Sequence, residues 1–113
     1  MEGYMADSAL TLVSRLNMQL SGIVTALDID IIGRETAKIL AKIKQLSPEV
    51  RLDVRDWEMA DSRIEMEQNA KAAAKRLEEL RLNILKASEH GIFSAIDVIH
   101  LSAQIDAITE ELR

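Results

Sequence analysis

Cysteine is absent from this chain of 113 residues, and with it any disulfide or thiolate metal site. Proline occurs once and glycine four times, too few for a fold of many turns and short strands. Aromatic residues make up only 3% of the sequence, against 48% hydrophobic residues overall. The expected core is therefore aliphatic and rich in alanine, which suits close helix packing. No apolar run approaches the roughly 18 residues of a membrane span. The opening Met1-Glu-Gly-Tyr-Met-Ala-Asp has neither the basic nor the apolar region of a signal peptide. The cytoplasm is the expected compartment, with no membrane contact. A net charge of −5 weighs against a dedicated nucleic-acid binder.

What the chain does contain is helix-forming sequence. From Ser47 it reads Ser-Pro-Glu, then runs without another proline or any glycine to Gly91. Ser47 fits an N-cap, Pro48 the first helical position and Glu49 the positive end of the dipole. Gly91 is a natural stop, because glycine enters the left-handed conformation cheaply. These signals predict one long helix over residues 48–90, spanning about 65 Å if unbroken. Its apolar positions fall into two series, Val50 to Ile64 and Met66 to Ala87, which do not join in register. That slip places any kink between Ile64 and Ala70.

Shorter helices are expected at about 7–28, 34–45 and 94–112, and residues 1–6 as a flexible tail. Asp7 or Ser8 caps the first helix. The stretch 28–33 is a connection, with Asp28 or Asp30 capping the second helix. Ser94 caps the last, with Asp97 in the capping-box position. The predicted fold is all-α: a single domain over 1–113, an antiparallel helical bundle built on the long helix.

Val13, Leu16, Leu20, Ile23 and Leu27 recur at alternating steps of three and four, as do Val98, Leu101, Ile105, Ile108 and Leu112. Such heptad seams pack against other helices, and with Trp57 they are the candidate interaction residues. Ser21-Gly22 interrupts the first seam, through a close backbone approach, a bend or simple tolerance. Charge alternates in blocks: residues 1–33, 47–70 and 91–113 are net acidic, 34–46 and 71–90 net basic. Folding back at Pro48 and again at Gly91 sets a basic block beside an acidic one each time, which selects register more than it stabilises. The helices expected from sequence differ greatly in length, and pairing two copies removes the mismatch. A homo-oligomer, most simply a dimer, is the expected state.

Residues suited to chemistry are sparse. His90 stands at a helix end, where it complements the dipole. Asp97 and His100 have the spacing of a carboxylate–histidine metal pair, but the second copy that di-metal bundles use is missing. Asp61 and Glu65, with Glu58 and Glu67 nearby, form an acidic group with no matching set on a partner helix; a solvated face explains it. Arg34, Lys38 and Lys42 make a basic stripe, a candidate contact for anions or nucleic acid, and equally a solvated face beside acidic neighbours. No glycine-rich phosphate loop is present, and no catalytic residue, cofactor site or metal site is assigned. The reading that follows is a non-enzymatic, cytoplasmic helical interaction module acting as adaptor, scaffold subunit or regulator on an unidentified protein partner. A nucleic-acid accessory factor using the basic stripe stands second, and a metal-dependent helical-bundle nucleotide hydrolase third.

Overall fold

The computed structural model of the chain describes residues 8–25 and 29–113, the latter by backbone alone over 29–32. The expected tail at 1–6, the Asp7 and Asp28 caps and the seam residue Leu27 lie outside the described residues, as does the Asp30 side chain. Those described form α1 (Ala9–Thr25), α2 (Ile29–Glu58), α3 (Arg63–Glu89) and α4 (Ala95–Glu111), with no strand among them. The expected all-α bundle is found, and α1 and α4 lie close to their predicted spans.

The single rod over 48–90 is not found. It divides into the end of α2 and the whole of α3, which reverse direction at residues 59–62 and share the largest interface in the molecule. An unbroken rod would also exceed the longest extent of the molecule, 47 Å. The break is capped: Ser62, in an extended conformation, accepts a hydrogen bond from the Glu65 amide, and the Glu65 carboxylate accepts one from the Asp61 amide. The phase slip is real, but the chain turns a few residues before Ile64, where these caps are available.

Pro48 does not start a helix; it lies inside α2, and the second helix runs on past residue 45 to Glu58. Ser47 does not cap. Its hydroxyl donates to the Ile43 carbonyl one turn back, at 2.9 Å. Proline inside a helix costs about 3 kcal/mol. Leu46, Val50 and Val54, buried on either side of it, each contribute about 1.5–3 kcal/mol on transfer from water. Their continuous apolar face outweighs the local penalty, and Pro48 itself is exposed. The true interruption in α2 is Gly33, at φ 84° and ψ 168°. Residues 29–32, expected as connection, form a helical turn before it.

Cross-helix bonds fix the arrangement. The Leu10 amide donates to Glu58 and the Asn17 amide side chain to the Ser47 carbonyl, so α1 and α2 run antiparallel. On α3, Arg76 pairs with Asp53 and Glu49, Glu79 with Lys42, and His90 with Thr36, an antiparallel ladder on α2. Arg81 pairs with Asp106 on α4, and Gln104 of α4 donates to Gln19 of α1 at 2.7 Å. The four helices thus form a closed ring, α1–α2–α3–α4–α1, with alternating directions. Diagonal pairs have no Cα atoms within 8 Å of each other among the described residues. One cluster of buried side chains from all four helices fills the centre, including Val13, Leu16, Val50, Leu77, Leu80 and Ile105.

The charge blocks combine differently from expectation at one place. Basic 71–90 lies beside acidic 91–113 through Arg81 and Asp106, as expected. Acidic 47–70, however, meets basic 71–90 through Arg76 and not 34–46, because the chain folds back at residue 59 and not at Pro48. The Asp53 hydrogen bond and the nearby carboxylates raise the Arg76 pKa above the ordinary guanidinium value.

Candidate interaction surface

The heptad seams are spent inside the chain. Val13, Leu16, Leu20, Leu101, Ile105 and Ile108 are buried in the bundle's own core; Ile23, Trp57 and Val98 are half-buried against it. They are covered by neighbouring helices and offer little to a second molecule. Gly22 makes no close approach: a Cβ there would meet nothing within 4 Å. The open surface removes the close backbone approach, and α1 runs on through Ser21-Gly22 to Thr25.

The basic stripe is partly engaged. Lys42 pairs with Glu79 of α3 at 3.2 Å, Lys38 lies 3.8 Å from Glu35, and Arg34 is exposed. Two of its three cations therefore face carboxylates of the same chain. Several of the remaining candidates for chemistry do helix-end work. The Asp97 carboxylate accepts from the Ser94 amide, completing the capping box, and His100 is exposed. Glu65 closes the start of α3. His90 is the C-cap residue, its amide bonded back to Lys86 and Ala87. Among the described residues no group of three or more His, Asp or Glu side chains is placed to hold a metal ion.

What remains is apolar surface outside the seams. On α3, Leu82 and Leu85 are 51% and 41% exposed; on α4, Ile96 and Ile99 are both 65% exposed. The Arg81–Asp106 pair sets the register of this antiparallel hairpin. From it, Leu85 lies one turn on along α3 and Ile99 two turns back along α4, so both point to the outward side of the hairpin, where Leu82 and Ile96 also lie. Sequence reasoning passed over these four because each lies off the seam of its own helix. The signal was there in α4, which carries isoleucine on two faces: Ile105 and Ile108 inward, Ile96 and Ile99 outward.

A second apolar region occupies the α2–α3 tip, where Met59, Ile64 and Met66 are exposed, as is every residue from 61 to 68. Beside it, a shallow groove of about 160 Å³ runs between Trp57, Met66, Ala70 and Leu112. Between α1 and α2, a recess of about 270 Å³ is lined by Asn17, Leu20, Val24, Ile43 and Pro48. No helix among the described residues is long and apolar enough to cross a membrane. No protein-family model, curated protein or solved structure matches the chain.

Proposed function

We propose that this protein is a helical interaction module that self-associates and serves as adaptor, scaffold subunit or regulator, without catalytic chemistry of its own. The observation that carries this reading is the outward apolar side of the α3–α4 hairpin, Leu82, Leu85, Ile96 and Ile99, left over after the seams have closed the core. Scattered exposed leucines need no explanation, but four large apolar side chains exposed on one hairpin form the kind of surface that binds protein. Several of the polar groups that suggested other chemistry, Lys42, Glu65, His90 and Asp97 among them, are occupied in capping and cross-helix pairs, which supports the same reading. The expected result is a sedimentation mass above that of one chain at micromolar concentration, falling on dilution. A mass of one chain throughout sinks the self-associating part of the proposal.

A further inference from the structure

From the pattern of charge around Leu82 we infer that the second copy docks antiparallel on α3, with a two-fold axis passing beside Leu82. This rests on the self-association reading above and names its surface. Lys75, Glu78, Leu82, Leu85, Lys86 and Glu89 are all exposed on α3. Apart from the adjacent Leu85 and Lys86 they step by threes and fours, so all six lie within about 100° of one another on the outward side of the helix.

The order of charge along that face is its own complement when reversed. A two-fold axis at Leu82 sets Leu82 against the second copy's Leu82. It sets Lys75 opposite the second copy's Glu89, and Glu78 opposite the second copy's Lys86. By symmetry each pair occurs twice, as an isologous contact requires. Among the described residues Lys75, Lys86 and Glu89 make no ion pair within the chain, and Glu78 makes only a 3.5 Å contact with Arg81. Three of the four charges are thus unused by the bundle. A shift of the axis by one or two residues toward the C-terminus brings Glu78 near the second copy's Glu89, like against like, so the charges also reject the neighbouring register. Leucine at the centre with charges at both ends is the arrangement of an interface with an apolar middle and a polar rim. The tip around Met59 and the recess beside Pro48 offer no such self-matching, and nothing there identifies what would fill them.

The absence of cysteine makes the test direct. Leu82→Cys places one thiol per chain next to the two-fold axis; Leu52→Cys, on exposed surface of α2, is the control. Air oxidation is expected to link Leu82→Cys into covalent dimers and to leave Leu52→Cys largely unlinked. In parallel, sedimentation at low salt follows Lys75→Glu, Glu89→Lys and the double exchange, with circular dichroism confirming that each stays helical. Each single reversal should weaken association by about tenfold, and the double exchange should restore it. A two-chain mass with no preferential link at position 82 and no response to the reversals overturns this interface while self-association stands. A one-chain mass for the native protein overturns both.

Discussion

Two glycines show how differently the same residue acts at two places. Gly22 sits within α1 with open space where a Cβ would stand, and nothing requires its conformational freedom. Gly22→Ala should therefore stabilise the protein by about 0.5–1 kcal/mol, chiefly by restricting the unfolded chain. Gly91 has equal room, but its φ of 78° lies in the left-handed region, where an L side chain is strained. Gly91→Ala should destabilise by about 1–2 kcal/mol. Thermal denaturation followed by circular dichroism should move the midpoint up for the first and down for the second. The role of Gly91 was legible in the sequence because a stop signal, local chemistry and the end of a periodic stretch coincide there. That of Gly22 was not, since whether a neighbour approaches is a property of packing.

At the scale of the helix, the same contrast explains what was misread. Ser47-Pro48 has the form of a helix start, yet its residues continue a helix already under way. Local preference at one proline competes there with an apolar face running from Ile43 through Leu46 and Val50 to Val54, and the face prevails. Pro48→Ala should consequently lengthen nothing and stabilise α2, by an amount approaching about 3 kcal/mol. Chemical denaturation with an unchanged m-value would support this; a loss of stability would mean that the ring itself packs in the recess beside Asn17. The true start of α3 was present in the sequence as Ser62-Arg-Ile-Glu65, a serine followed three residues later by glutamate. It was obscured by reading Glu65 with Asp61 as an acidic group. Ser94-Ala-Ile-Asp97, the same device after a glycine, was read correctly.

For the molecule as a whole, helical class and packing of heptad stripes were readable because apolar periodicity is a local property. What the stripes pack against was not, because the place where the chain turns decides whether a seam closes a core or faces outward. Four helices are expected and four are found, but residues 48–58 join α2 instead of α3, and the resulting lengths suffice to bury every described seam position at least in part. Two neighbouring leucines on α3 separate the two roles. Leu80 is fully buried, and Leu80→Ala should cost about 2–5 kcal/mol of folding stability. Leu82 is half exposed, so Leu82→Asn should leave the stability of the single chain within about 0.5 kcal/mol while reducing the sedimentation mass at a given concentration. Equal losses of stability in the two variants would count against an outward role for Leu82.

The ring of neighbours also has a kinetic consequence. Three of its four interfaces join helices consecutive in the chain, and only α1 against α4 must bring distant segments together. Search over long loops is thus confined to a single closing step, which favours rapid folding. The α2–α3 hairpin, with the largest interface, is the expected nucleus, and α1 docks on α4 afterwards. Stopped-flow measurements should find that Leu77→Ala slows refolding, whereas Val13→Ala mainly accelerates unfolding. The reverse assignment would place the first organised structure at the chain's outer helices instead.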